Sequence, residues 1–260
     1  MRIVYPPLLC GLLTVLAAPI ATAETTASSS WQYEVGAGSL VRQAPWHQQH
    51  TQQLNVPLLS ARKGGWQIGT GNGLVTHHWS LQQWRLSTAI GLRDESVNSD
   101  IWGDADDPRY RGFDGGDMEV TANLGLEWRA LSLGLAHDIS GHSHGSTVEA
   151  TITQPLFAWP GHFTPKAQWQ LGARWLSGPY SDSLYGIDTE QSTAQLPVYD
   201  SSAATNPVAG IEALWPFNRQ WQMRFKYQAE WLSDSIYDSP LVDRRVQHNA
   251  VLTVVYLGNF

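Results

Sequence analysis

Polar and apolar residues alternate along most of the chain. Between Gln220 and Trp231, the side chains of Trp221, Met223, Phe225, Tyr227, Ala229 and Trp231 fall on one face, and Gln220, Gln222, Arg224, Lys226, Gln228 and Glu230 fall on the other. A helix would scatter the two sets around its circumference, whereas a strand segregates them. Met118–Trp128 repeats the pattern, with Met118, Val120, Ala122, Leu124, Leu126 and Trp128 against Glu119, Thr121, Asn123, Gly125 and Glu127. So does Phe163–Trp175, with Ala167, Trp169, Leu171 and Ala173 against Lys166, Gln168, Gln170 and Arg174. Weaker copies lie at 31–39, 54–61, 83–93, 131–139, 147–154, 205–215 and 246–258. No segment has the period of an amphipathic helix. No run of about 18 apolar residues follows residue 23, so no helical membrane span is expected. The predicted class is all-β.

An apolar sheet face points either to a second sheet, as in a sandwich, or to lipid, as in a membrane barrel. Several features favour the barrel. Most segments are about 9–13 residues long, as tilted membrane strands must be, where soluble strands usually run about 5–6. Connections alternate in length: Arg129–Ala130, Ala158–His162 and Pro216–Arg219 are tight, and 94–117, 178–204 and 233–244 are long. That is the asymmetry of periplasmic turns and external loops. Trp84, Trp128, Trp215 and Trp221 flank short turns, while Trp175 and Trp231 sit towards long loops, as two aromatic girdles require. Leu252, Val254, Tyr256, Gly258 and Phe260 share one face of the last strand, so the terminal aromatic fits a signal for the barrel-assembly machinery.

Counting 66–78 as one strand gives an odd total, which a bacterial barrel made from one polypeptide avoids. Asn72-Gly73 is a hairpin signal. Splitting there gives Trp66–Gly71 and Leu74–Trp79 and a transmembrane antiparallel up-and-down barrel of twelve strands, with ten as the alternative. Leu124 and Phe225 are predicted to face lipid, and Asn123 and Gln222 the lumen. Arg85, Glu119, Glu127, Arg174, Arg224, Lys226 and Glu230 would point into a narrow lumen, where both signs can pair.

Composition narrows the setting. The chain has 260 residues, 42% hydrophobic and 15% charged, too apolar for disorder. With 16 Lys+Arg against 23 Asp+Glu, its net charge of −7 argues against a nucleic-acid partner. The 13 tryptophans suit a membrane interface. Residues 1–23 read as an export signal: Arg2 gives the charge, Leu8–Ala18 the apolar stretch, and Ala21-Thr22-Ala23 the cleavage site. Residues 24–260 would then form the barrel domain of a Gram-negative outer-membrane protein, bathed in lipid and lipopolysaccharide. Cys10, the single cysteine, would leave with the leader.

The C-terminal half carries three further stretches: Tyr180-Ser181-Asp182-Ser183-Leu184-Tyr185-Gly186-Ile187, Leu196-Pro197-Val198-Tyr199, and Asp238-Ser239-Pro240-Leu241-Val242. With Tyr256–Phe260, and more loosely Val35-Gly36-Ala37-Gly38 and the strand around Pro57, these resemble the MltA-interacting protein/OmpV family of outer-membrane proteins. Ala44-Pro45-Trp46 departs from the Pro-x-Tyr-x-Gly that the family tends to have there. The resemblance implies a non-enzymatic scaffold in peptidoglycan remodelling, with a murein transglycosylase and a bifunctional murein synthase as partners. It brings no catalytic residues.

Local chemistry adds alternatives. Gly141-His142-Ser143-His144-Gly145 matches G-x-S-x-G, but that motif marks a nucleophile only on a strand-turn-helix elbow, and here it joins two strands. His144-Gly145-Ser146 has the spacing that would put base and nucleophile on one strand face, the basis of a lipid-hydrolase alternative. His137, His142 and His144 could in principle share an ion, although paired histidines in a loop seldom do; His47, His50, His77 and His78 suggest it less still. Loop 94–117 holds eight acidic residues offset by Arg109 and Arg111, leaving −6. It reads as a solvated loop under an anionic lipopolysaccharide surface. The alternative is an outward-facing site for cations or small cationic molecules, or a narrow pore. No catalytic, cofactor-binding or metal-ligating residue is assigned.

Overall fold

The computed structural model describes residues 30–70, 73–99, 101–103, 107–110, 113 and 118–259. The leader with its cleavage site, Asn72, much of the acidic loop, and Phe260 with its assembly signal lie outside the described residues.

Twelve antiparallel strands close into one barrel. They are β1 (Gln32–Gln43), β2 (Gln52–Lys63), β3 (Trp66–Gly69), β4 (Val75–Leu81), β5 (Trp84–Arg93), β6 (Glu119–Trp128), β7 (Leu131–Asp138), β8 (Ser146–Ala158), β9 (Lys166–Leu176), β10 (Ala204–Pro216), β11 (Trp221–Trp231) and β12 (Val246–Asn259). Each strand pairs with its sequence neighbour, and β1 closes on β12 from Gln32↔Asn259 to Gln43↔His248. Twelve is the count that the split at Asn72-Gly73 predicts. Gly73 has φ +104, a conformation that favours glycine. The short turns other than the one between β3 and β4 share one rim with the start of β1, the periplasmic one by the barrel rule. Long connections gather at the other.

The facing is also as the alternation predicts. Leu124, Leu171 and Ile211 are exposed on the outer wall, whereas Thr121, Asn206, Gln228 and Glu230 are buried inside. Trp66, Trp79, Trp84, Trp215 and Trp221 stand exposed around the periplasmic rim, and Trp175 and Trp231 around the outer one. One sector of the lumen departs from the polar-inside rule. Leu40, Val56 and Val255, on adjoining strands, are buried facing inward. Their neighbours Gln53 and Asn55 point outward.

Two stretches differ from the sequence reading. The predicted strand from Phe163 begins at Lys166 instead, because the turn closes lower: Trp159 N–H donates to Pro165 C=O, and Thr164 Oγ1 donates to Trp159 C=O at 2.6 Å. Two short helices, α1 (Gly178–Tyr185) and α2 (Asp234–Tyr237), occur in loops where none was expected. Eight and four residues are too few for a 3.6-residue period to emerge. Ser177 followed by Pro179 is the signal that marks the start of α1: the Ser177 hydroxyl accepts from Tyr180 N–H at the N-cap.

The wall is lowest at β3. That strand meets β2 over Ser60–Lys63 and β4 over Val75–His77. Beyond it, Thr70 N–H donates to Leu59 C=O and Leu59 N–H to Thr70 Oγ1. By strand alternation Pro57 faces the same edge, and it has no N–H to leave unpaired there.

The hydrophobic core of the described residues lies outside the membrane-spanning wall. Ala44, Trp46, Val97, Tyr110, Phe113, Tyr180, Leu184, Tyr185, Ile187, Leu196, Ile236, Leu241 and Val242 pack into one cluster over the outer mouth. Trp46 lies against Tyr185 at 5.1 Å between ring centroids, and Tyr110 donates from its hydroxyl to Leu241 C=O at 2.7 Å. Most of the three C-terminal stretches singled out in the sequence form this cap.

Candidate functional site: a polar diaphragm under the outer cap

Beneath the cap, side chains from most of the barrel meet across the lumen. Arg42, Arg93, Glu119, Thr147, Arg174, Asn206, Glu230 and Gln247 all lie within three residues of the outer ends of their strands. Strand alternation turns each inward, and a small circumference brings their polar ends together. Arg93 Nε donates to Glu119 at 2.7 Å, and Arg93 Nη1 donates to Thr147 Oγ1 at 3.3 Å. The loop after β5 carries Glu95 inward, where its two carboxylate oxygens accept from Arg174 at 2.8 and 2.9 Å. Arg42 donates to the backbone carbonyl oxygen of Glu95 at 2.8 Å. Glu230 accepts from Arg174 at 3.3 Å, Asn206 at 2.6 Å and Gln247 at 2.9 Å.

Tyr180, in the first turn of α1, lies over this layer. The Arg93 guanidinium sits 3.7 Å from its ring centroid. The Tyr180 Cβ comes so near Gly145 that a side chain there would clash at 2.4 Å, so the glycine lets α1 seat against the β7–β8 loop. The Tyr180 hydroxyl is buried with no hydrogen-bond partner. Burial and the Glu95 carboxylate push it well above the ordinary tyrosine value, against Arg93 and Arg174. Burial disfavours the Glu95 charge too, but Arg174 and Arg93 outweigh it and hold the carboxyl below the usual range. The site therefore carries fixed charge at neutral pH, compensated within the layer.

A cavity lies on each side. The outer one, about 270 Å³, is bounded by Arg93, Glu95, Glu119, Tyr180, Asp182 and Asp188 among others. The inner one, about 200 Å³, runs from Arg93 and Glu95 down to Glu127, past Asn123, Glu149, Arg174 and Lys226. Lower in the barrel, Lys226 pairs with Glu212 at 3.0 Å, Arg224 with Glu34 at 2.9 Å and Arg85 with Glu127 at 3.4 Å. The inward charges named from the sequence thus occur as pairs, and Arg42, Arg93, Glu95 and Glu212 join them. Arg93 and Glu95 escaped notice because they stand where the alternation stops.

The histidine and serine candidates sit apart from the diaphragm. His144 and Gly145 precede β8, so His144 and Ser146 do not share a strand face. His144 has φ +53, and its N–H donates to the Asp138 carboxylate, which also accepts from Ser140 and Ser143 N–H. Ser146 instead meets His137, its cross-strand partner, with Nδ1 2.8 Å from Oγ. His142 borders the outer cavity. Among the described residues, no group of three or more His, Cys, Asp and Glu side chains is placed to hold a metal ion. In the acidic loop, Asp107 accepts from Arg109 and contacts His47 at 3.0 Å, and Asp94 accepts from Ser96, Ser99 and Ile101 N–H. These carboxylates organise the cap.

The family model for the MltA-interacting protein MipA matches residues 35–257. The chain belongs to this family. Among MipA-family relatives, the MltA-interacting protein of Escherichia coli K12 is 24% identical over 243 residues, covering 89% of this chain and 92% of that protein. Outer membrane protein OmpV of Vibrio cholerae serotype O1 is 23% identical over 140 residues, 54% of this chain and 53% of its own length. An outer membrane channel from Pseudomonas putida F1 has 11% sequence identity and a TM-score of 0.40, covering 92% of this chain and 100% of that one. Membership of the MipA family and the closed barrel place the protein in the outer membrane.

Proposed function

We propose that this MipA-family barrel is a non-enzymatic scaffold that holds a murein hydrolase and a murein synthase against the inner rim of the outer membrane. The observation that carries the reading is the hairpin joining β8 and β9. β7 pairs with β8 only as far as Ile152, yet β8 continues to Ala158. Residues 153–165 therefore extend below the 129–130 turn, towards the periplasm where murein lies. Trp159 is 61% exposed, and Leu156, Phe157 and Phe163 are exposed beside it. Pro160 and Pro165 stiffen the turn. Rigid aromatic groups of this kind are the usual anchors of protein interfaces. The outer mouth, roofed by the cap and crossed by the diaphragm, leaves surface rather than an open passage as the resting barrel's offering. The relative's name, MltA-interacting, is in keeping with a transglycosylase partner.

The test is retention on immobilised, folded protein of a purified lytic transglycosylase and a purified bifunctional murein synthase. Retention should fall at least tenfold for Trp159→Ala combined with Phe163→Ala, about the effect expected from losing one anchor. Failure of the unaltered protein to retain either enzyme would overturn the reading.

A further inference from the structure

Two cavities stacked on the barrel axis share Arg93 and Glu95 as part of their walls. Between them lies one layer of side chains. The lower cavity is long: Thr121 and Glu127, both in its lining, are six residues apart on β6, which at about 3.4 Å per residue and a tilt of about 40° is about 16 Å of height. That is more than half of an apolar band about 25 Å tall. At its foot, Glu127 and Arg85 remain about one-third exposed, with side-chain values of 30% and 36%. Solvent from the periplasmic side therefore comes within one residue layer of solvent from the outer side.

We propose that the diaphragm is a gate, and that the barrel conducts small cations when the Arg93–Glu119–Tyr180 contact opens. The contact has the parts a gate needs. Arg93 makes one ion pair, one hydrogen bond to the Thr147 hydroxyl and one ring contact, and all three can break by rotation of its side chain without disturbing the strand ladder. Tyr180 stands on α1, outside the wall, so movement of the loop that carries it removes the lid from above. Its unpartnered hydroxyl is a buried group that would gain a water when the layer parts. Cation selectivity follows from the lining: Glu95, Glu119, Glu127, Glu149, Asp182 and Asp188 outnumber Arg93, Arg174 and Lys226. A ring of excess carboxylate favours cations. This inference does not depend on the scaffold reading, since it concerns the lumen and not the periplasmic hairpin.

The experiment is conductance of the full folded protein in planar phospholipid bilayers bathed in potassium chloride. Unaltered protein should be closed most of the time, with brief openings of one unit size. Arg93→Ala should raise the time-averaged current at least about tenfold, the effect on a two-state equilibrium of losing one charge-assisted hydrogen bond. Glu119→Gln keeps the side-chain volume and should do so in the same direction, which guards against a folding defect in the first variant. A heat-dependent gel shift confirms barrel closure in each. The reversal potential in a salt gradient should have the sign of cation flow. Folded variants as silent as the unaltered protein, or anion-selective currents, would overturn the proposal.

Discussion

Replacing Leu124 by arginine tests the direction in which β6 side chains point. Leu124 is 56% exposed on the outer wall and lies between Thr88 and Leu135 on the flanking strands. It is near the middle of β6, with Glu119 at one end and Trp128 at the other. An arginine there must enter hydrocarbon near the midplane, at a cost of about 2–4 kcal/mol. That lowers the folding equilibrium constant about 30- to 700-fold. Its neighbour Asn123 faces the inner cavity, where its amide donates to Thr121 Oγ1 at 3.1 Å. Asn123→Arg places the same guanidinium among Glu127 and Glu149, so its loss should be well below that of Leu124→Arg. The assay is reversible unfolding in guanidinium chloride from phospholipid vesicles, followed by tryptophan fluorescence. Equal losses at the two positions, or a larger one at Asn123, would refute the assigned facing.

Two further outcomes concern the cap. Trp46→Ala removes a side chain that is 1% exposed, which should cost the cap about 3–5 kcal/mol. Because the cap is a separate core, limited proteolysis should then cut the long loops while the heat-dependent gel shift survives; loss of both together would mean that cap and barrel fold as one unit. Acid should loosen the same region. The Glu95 carboxyl is held below its ordinary value of 4.5, so its pairing with Arg174 stabilises fully above that value and is lost as pH falls through the lower, folded one. Protease sensitivity of the 178–203 loop should rise below about pH 4.5 in the unaltered protein. Glu95→Gln should already be sensitive at neutral pH; an unchanged profile in that variant would refute the assignment.

The wall was legible in the sequence because lipid outside and water or charge inside impose opposite demands on successive residues. Gln220–Trp231 shows this without interruption, and β11 forms there. Legibility fails where those demands relax. In β2 the inward residues Leu54, Val56 and Leu58 pack on the β1 glycines and Leu40, so alternation persists with its sense reversed. Phe163 continues the apolar series yet falls in a turn, because a barrel rim ends where hydrogen bonding ends and not where hydrophobicity does. The diaphragm was half visible. Glu119, Arg174 and Glu230 stand on alternating strands and could be placed inward by count. Glu95 lies in a loop, where no period says which way a side chain turns, and its meeting with Arg174 depends on a sequence separation of 79 residues. Likewise, Tyr185 and Trp46 come together through tertiary folding of two loops, which no local period foretells.

The short third strand has a mechanical consequence. Around most of the circumference, neighbouring strands grip each other over long ladders, from Gln32↔Asn259 to Gln43↔His248 at the β1–β12 seam, for instance. At β3 the grip narrows to Ser60–Lys63 on one side and Val75–His77 on the other. A cylinder loaded in tension yields at its thinnest join. When a single molecule is drawn out of the membrane by a probe attached at either end, hairpins should leave stepwise, and the step that frees β3 should need the least force. The protein has thus set its weakest join within its wall, at a strand that β2 alone separates from the β1 of the seam where its two ends meet, and that β4 alone separates from the β5 that carries Arg93.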